Sequence, residues 1–356
     1  MMSQKMDVTL NRIPLRTWNS LRMNEYRMSL DAPAAAGNAL VTVPEGFSYS
    51  ENEPLPERFI GIGTGMGPDA EQVFAAGAQA ARIFKADGDT AAAGSILMKY
   101  NFSGGEAAAD VVALETSENA VLQMIMDFSS SGESGGYGAV QTKIRAGGNS
   151  LVRLIQVHRV SSEMAMLNDV GAVCGEGARV EVIHVILSGA ENVIGCRTDL
   201  EGRESSLRTD IGYLVEDDHH LDMNYTANHI GRRTECEINS MGILRDESSK
   251  LFRGTIDFKK GAAGSAGNEK EDVLLMDDQV VNQTIPIILC AEEDVEGNHG
   301  ATIGQLDEET LFYMQSRGIP EKEIYALMER GRLASVISKI PDQDFRDELL
   351  HMIGEE

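Results

Sequence analysis

From about residue 94 to 289 apolar and polar residues alternate with a period of two over short runs. Along Arg179-Val180-Glu181-Val182-Ile183-His184-Val185-Ile186, one face collects Val180, Val182, His184 and Ile186. Met223, Tyr225, Ala227 and His229 share a face opposite Asp222, Asn224, Thr226 and Asn228. Cys236 and Ile238 oppose Glu235, Glu237 and Asn239. Such alternation marks half-buried strands. Turn clusters separate them, such as Gly147-Gly148-Asn149-Ser150, Gly175-Glu176-Gly177 and residues 245–249. The runs recur roughly every 10 to 12 residues with no helical pattern between them. The pattern admits a sandwich, a barrel or a stacked β-solenoid, and no clean repeat motif chooses among them.

The flanks read differently. Residues 1–93 predict an irregular and helical segment, with a helical start around 18–28 and a Pro- and Glu-rich stretch to Pro56. A glycine cluster (Gly61, Gly63, Gly65, Gly67) and an Ala-rich helix over 70–84 follow. Glycines ahead of a helix suggest a phosphate loop, but neither GxGxxG nor GxxxxGK[ST] is completed, so a flexible or turn-forming loop is expected in preference to an anion site. After Gly304 the period becomes 3.6. Asp307 is a good N-cap, Glu308 and Glu309 suit the positive end of a helix dipole, and Gly318 supplies a left-handed stop. Pro320 opens a second helix with Ile324, Leu327 and Met328. A third carries Leu333, Val336, Ile337 and Ile340, and a fourth spans 343–353. Residues 304–356 thus predict a small helical bundle beside a β core over 94–303.

Length and composition narrow the function. A chain of 356 residues with net charge −25 has ample core but offers no basic surface for nucleic acid or for an anionic membrane. An acidic surface favours a basic partner. The four cysteines (Cys174, Cys196, Cys236, Cys290) form no CxxC pair and read as reduced thiols. No signal-peptide pattern and no run of about 18 apolar residues occurs, so a cytoplasmic protein is expected. No Walker A motif or hydrolase triad order is present, and no strand combines the clustered Asp and basic residue of a β-helix lyase. An enzyme is not expected.

Candidate chemistry concentrates between 285 and 318. An apolar run over 285–289 delivers Cys290 to Glu292, Glu293 and Asp294, and the chain then turns through Gly297 to His299. Thiolate, imidazole and carboxylate together suit borderline metals such as iron or zinc. The Glu216-Asp217-Asp218-His219-His220 cluster reads as a polar loop, and His184 and His229 as satisfied core residues.

The run HGATIGQLDEETLFYMQSRGI (299–319) resembles the C-terminal signature of the SufB/SufD family, scaffold subunits of iron–sulfur cluster assembly. LFRGTIDFKKGAAGS (251–265) and EDVLLMDD (271–278) extend the likeness over about 208–331, and PLRTWNSLRMN (14–24) is a weaker echo. The resemblance implies a mainly β fold, a right-handed parallel β-helix, capped by the N-terminal segment and the C-terminal helices. It implies a transient iron–sulfur cluster or iron held by His299, with Cys290 and Glu292 as the nearest further ligands at a dimer interface. It implies partners as well: a SufC-like ABC-type ATPase at the C-terminal helices, through Phe312, Tyr313, Met314 and Arg317, and a homodimer or a heterodimer with a SufB/SufD homologue. Two family thiols are replaced. Gly297 stands where many SufD-like members have cysteine, and Glu271 where SufB-like members have one. The chain is therefore also readable as a purely structural partner without cluster ligation. If the coils stack, two of Cys174, Cys196 and Cys236 could align in the interior.

Overall fold

The computed structural model describes residues 5–15, 18–78, 80–88, 94–132 and 135–354. Arg16 and Thr17 of the N-terminal echo lie outside them. The chain opens with a hairpin, β1 (Lys5–Leu10) and β2 (Tyr26–Asp31), and three further strands, β3 (Ala35–Ala36), β4 (Ala39–Thr42) and β5 (Phe47–Glu53). Two short helices follow, α1 (Glu57–Ile60) and α2 (Ala70–Gly77).

The period-two region then folds as strands that alternate between two sheets. One sheet takes β6 (Ala81–Ala86), β8 (Ala107–Thr116), β10 (Tyr137–Ala146), β12 (Ala165–Cys174), β14 (Glu191–Leu200), β16 (His220–His229), β18 (Ser249–Phe258) and β20 (Val281–Cys290). The other takes β7 (Ile96–Ser103), β9 (Val121–Ser131), β11 (Leu151–Arg159), β13 (Arg179–Ser188), β15 (Ser206–Val215), β17 (Glu235–Leu244), β19 (Ser265–Leu275) and β21 (Val295–Gly304). All neighbours from β6 to β21 pair in parallel, giving a β-solenoid of about seven turns. Tyr137 registers with Ala165, Ala165 with Glu191 and Glu191 with His220. Strands start about 14 residues apart, as at Ala165 and Arg179, rather than the 10 to 12 expected. The spacing reads short because strands such as β12 are buried on both faces, which hides part of the alternation.

The lumen is filled from both sheets by residues such as Met124, Phe128, Val182, Met223, Tyr225 and Ile256. Each outer face has a cover. The N-terminal segment packs Phe59, Met66, Val73 and Phe74 on the even-numbered sheet. Helices α3 (Glu308–Ser316), α4 (Glu321–Ile337) and α5 (Gln343–Met352) follow the last strand, and Leu333, Val336, Ile337 and Leu349 lie on Ile155, Val157, Val185 and Ile243 of the odd-numbered sheet.

Backbone bonds link the turns of successive coils on one side. The N–H of Asn119 donates to Gly148, of Asn149 to Glu176, of Gly177 to Arg203, of Glu204 to Arg232, and of Arg233 to Ala263. Each donor sits at φ between 52° and 63°. A small residue follows each one and is buried: Ala120, Ser150, Ala178, Ser205 and Thr234. This column is the internal repeat that the sequence pattern left unrecognised.

Several expectations are corrected. Residues 18–28 are not helical: Asn19–Leu21 forms one 3₁₀ turn, ended by Arg22 at φ 57°, and Tyr26 begins β2. The Ala-rich helix stops at Gly77, and the apolar Ile83 and Phe84 belong to β6, so the stack begins ahead of residue 94. The second and third predicted helices are one, α4, which accommodates Gly331 in its interior. The helices lie on a sheet face instead of forming a separate bundle or capping the stack, because their apolar stripe is matched by the outward residues of the odd-numbered sheet.

Candidate functional site

The two ends of the stack differ. At the first coil, antiparallel β5 and β4 close the edges of β6 and β7. At the last, β20 and β21 are the outermost strands of their sheets and expose ten-residue edges. Among β21 residues none is buried. The segment singled out by its chemistry is this terminal coil.

Registered residues in a parallel ladder share a face. Cys290 registers with Phe258, a lumen residue, and His299 with Glu269, whose carboxylate lies against Gly254 of the opposite sheet. Both therefore belong to the inner face of the last coil, and both are exposed there. Cys290 stands at the end of β20, however, while His299 is mid-strand in β21. Glu292 is committed to the turn between them: Oε2 accepts from the Gly261 N–H (2.9 Å) and Oε1 from the Glu293 N–H (3.0 Å), and these bonds lower its pKa. Among the described residues no group of three or more His, Cys, Asp or Glu side chains is placed to hold a metal ion. His299 also rims an open groove of about 680 Å³ shared with Arg208, Asp210, Lys270 and Lys339.

Beneath the terminal coil lies a polar layer that the sequence reading passed over. Lys250 and Glu271 form a wholly buried ion pair, and Thr284 Oγ1 joins it by donating to Glu271 Oε2 at 2.7 Å. Burial lowers the Lys250 pKa. Glu269, on the same inner face, is pushed up to about 8 by burial and then by the Glu271 charge, with Lys250 opposing. Glu271 thus has a cation of its own. The inward parity of Lys250 and Glu269, in step with Phe252 and Val273, was the available signal.

Deeper in the lumen several polar side chains bond one another, although Asn168 Oδ1, Thr198 Oγ1 and Thr209 Oγ1 have no hydrogen-bond partner among the described residues. Tyr225 donates to His184 Nδ1, and His184 Nε2–H to Gln156 Oε1 (2.7 Å). Asn168 Nδ2 donates to both Gln156 Oε1 (2.9 Å) and His158 Nε2 (3.0 Å), and His158 Nδ1–H reaches Asn192 Oδ1 (3.0 Å). Asn168 has two amide hydrogens and uses both, which fixes one tautomer for each ring. Burial holds His158 near 4 and His184 near 3, so both are neutral. Cys174, Cys196 and Cys236 are buried, with pKa values raised by burial, Cys196 and Cys236 to about 12. Cys236 lies 3.2 Å from His229 Nε2, and His229 Nδ1 is held by Thr234 Oγ1 at 2.7 Å. These thiols are protonated and poorly nucleophilic.

The glycine loop is not an anion cradle. The Gly65 N–H donates to Val170 and the Met66 N–H to Asp169 Oδ1 (2.9 Å), so the donors an anion would use are taken. The loop is turn-forming, as expected, and closely packed: a Cβ on Gly65 would lie 1.9 Å from the Cys196 nitrogen, and one on Gly195 2.2 Å from the Met66 nitrogen. In the 216–220 turn Glu216 pairs with Arg245, and the Asp217 N–H donates to Asp246.

At the C-terminal side α3 starts at Asp307, whose Oδ1 accepts from the Thr310 N–H at 2.8 Å, and none of its residues is buried. Phe312 is 73% exposed and Tyr313 57%, while Met314 is half-buried. Arg317 stacks over the Tyr313 ring at 5.1 Å. Two of the three consecutive apolar residues thus face outward.

The solenoid coincides with a match to a known family. The family described as "SUF system FeS cluster assembly, SufBD core domain" covers residues 100–332. The iron-sulfur cluster assembly protein SufD of Bacillus subtilis is 26% identical over 215 residues, 60% of this chain and 49% of that protein. SufB of the same organism is 25% identical over 233 residues, 65% and 46% of the two chains. An iron-sulfur cluster assembly SufBD family protein of Mycobacterium tuberculosis is 33% identical over 125 residues, 35% of this chain and 15% of that one. The chain spans about half the length of the two Bacillus proteins.

Proposed function

This chain belongs to the SufB/SufD family, and from that we propose that it is a non-enzymatic scaffold subunit of SUF-type iron–sulfur cluster assembly, with the nascent cluster or its iron as cargo. The observation that carries the reading is the position of the family core. It takes in an open terminal coil whose inner face bears His299 and Cys290. Imidazole nitrogen and thiolate sulfur suit iron. One chain provides too few converging donors, so the remaining ligands come from a second subunit. The free edges of β20 and β21 supply the means of joining, since an unpaired strand edge is a template for another.

The partner is a second copy or a SufB/SufD homologue, joined through the terminal strands. A SufC-like ABC-type ATPase docks on α3 through Phe312, Tyr313, Met314 and Arg317, and supplies the nucleotide chemistry. Its closure would shear the terminal interface and expose the cargo ligands. Among the described residues no helix is long and apolar enough to cross a membrane, in keeping with work in the cytoplasm. One observation favours a second reading, a structural subunit without cluster ligation: Gly297 and Glu271 replace family thiols, and Glu271 is neutralised by Lys250.

Anaerobic reconstitution with iron and sulfide separates the two. With partners present, wild type should develop visible cluster absorption that His299→Ala loses and Cys290→Ser reduces. Equal uptake by all three, or none by any, sinks the ligand role and leaves the structural subunit.

A further inference from the structure

The N-terminal hairpin lies across the strands of the even-numbered sheet, along the solenoid axis. The Asp31 carbonyl accepts from Tyr137 of β10 at 2.6 Å, and five residues earlier Tyr26 bonds Glu191 of β14 and stacks on His220 of β16 at 5.2 Å. Five strand steps span about 16 Å and three inter-strand spacings about 14 Å, so the hairpin advances by one strand every residue or two. It points toward the open end.

The loop joining β1 to β2 continues in that direction. Asn11 Nδ2 donates to the Ile194 carbonyl (3.1 Å) on β14 and to Asp222 Oδ1 (2.7 Å) on β16. The Met23 carbonyl accepts from Arg253 Nε (2.8 Å) on β18, and its side chain packs on Leu251 of β18 and on Ile285 and Ile287 of β20. The Ile13 N–H closes the base of the loop on the Asn24 carbonyl. Past β20 the sheet has no further strand. The loop carries Leu15, Trp18 and Leu21, exposed by 48%, 42% and 55%.

We propose that this loop is a clasp for a second copy of the chain, with Trp18 seated on the outer face of the partner's β20. The inference rests on the edge-pairing reading above and adds the surface that consolidates it. The unpaired main chain of β20 accepts only another strand edge, and a two-fold axis brings the same edge from a second copy. The partner's sheet then continues the outer face on which Met23 already packs. That face offers Val281, itself 49% exposed, and Ile287. Arg12 and Arg27 pair with Glu25 at the base of the loop, and with Arg22 they leave it net positive on a chain of net charge −25. An aromatic anchor with an arginine rim is the composition of interface centres.

Trp18 is the only tryptophan, so its fluorescence reads the clasp directly. Dilution across the dimerisation range, followed by emission and by sedimentation equilibrium, should show a blue shift that tracks dimer formation. Trp18→Ala and Leu21→Ser should each weaken self-association at least tenfold with unchanged circular dichroism and melting temperature. A dimer whose Trp18 emission stays that of exposed indole, or whose affinity ignores both substitutions, overturns the clasp and leaves edge pairing standing. A chain that stays monomeric at high concentration, or pairs only with a homologue, overturns the second copy as occupant.

Discussion

Glu269 holds its proton in the folded chain at neutral pH, since burial lifts its pKa from the ordinary 4.5 to about 8. Between those values the unfolded chain binds fewer protons than the folded one, so stability falls as pH rises through this window. The loss is of the order of a few kcal/mol. His158 and His184 act oppositely, being neutral in the fold down to about 4 and 3, which gains stability as pH rises toward the ordinary 6.5. Above pH 6.5 the histidine gain is complete and the carboxyl slope dominates, joined toward pH 8.5 by the buried thiols, whose raised pKa values also cost stability as pH rises. Denaturant titrations from pH 6.5 to 8.5 should show wild type losing stability and Glu269→Gln losing much less and ending more stable at pH 8.5; parallel curves would mean Glu269 is not the source. His158 drew no notice in the sequence, whereas His184 and His229 were legible as core residues because they share a face with valine, isoleucine and tyrosine. Lys250, Glu269 and Glu271 were not, because charge ordinarily marks the solvent face, and only their step with Phe252 and Val273 puts them inside.

An element-scale contrast lies between the glycine loop and the turns of the stack. In the loop, glycine matters for approach: Gly65 abuts the backbone of Gly195 and Cys196, where a methyl group has no room, whereas a Cβ on Gly61 meets nothing within 4 Å. Gly65→Ala should lower stability by about 1–3 kcal/mol, the ordinary penalty of overpacking, and Gly61→Ala should be close to silent. Equal melting temperatures for the two would contradict the packing described. The sequence shows the glycines but not what they face, since their neighbours are more than a hundred positions away. The turn column is different. A left-handed residue followed by a small buried one recurs at Asn119-Ala120, Asn149-Ser150, Gly177-Ala178, Glu204-Ser205 and Arg233-Thr234. That repeat was visible in principle, but the left-handed position is filled by Asn, Gly, Glu or Arg, so identity conceals a constant backbone geometry.

At the scale of the whole molecule the alternating pattern led to a stacked β fold, and the family likeness identified the solenoid among the architectures it allowed. Neither indicated that the chain's two flanks cover faces and leave the last coil bare, because a cover and a cap have the same amphipathic pattern. The C-terminal helices therefore have two roles to separate experimentally. Helix α4 closes the odd-numbered sheet through Leu333, Val336 and Ile337, so deleting it should unfold the protein. Helix α3 buries nothing fully, so Phe312→Ser with Tyr313→Ser should leave the melting temperature unchanged while abolishing capture of the ATPase in a pull-down. Retained capture by the folded double variant would place that partner elsewhere.

The anchoring of the hairpin also fixes an order of events during translation. Asn11 is bonded to Asp222, and Met23 to Arg253, so the hairpin segment waits for partners made some two hundred residues later. At ordinary elongation rates of about 5–20 residues per second, that delay is about 10–50 s. The coils can zip up one upon another as they emerge, but the outer face of the even-numbered sheet stays uncovered until nearly the whole stack has been synthesised. The hairpin is made before the strands it rests on and is among the last elements to find its place.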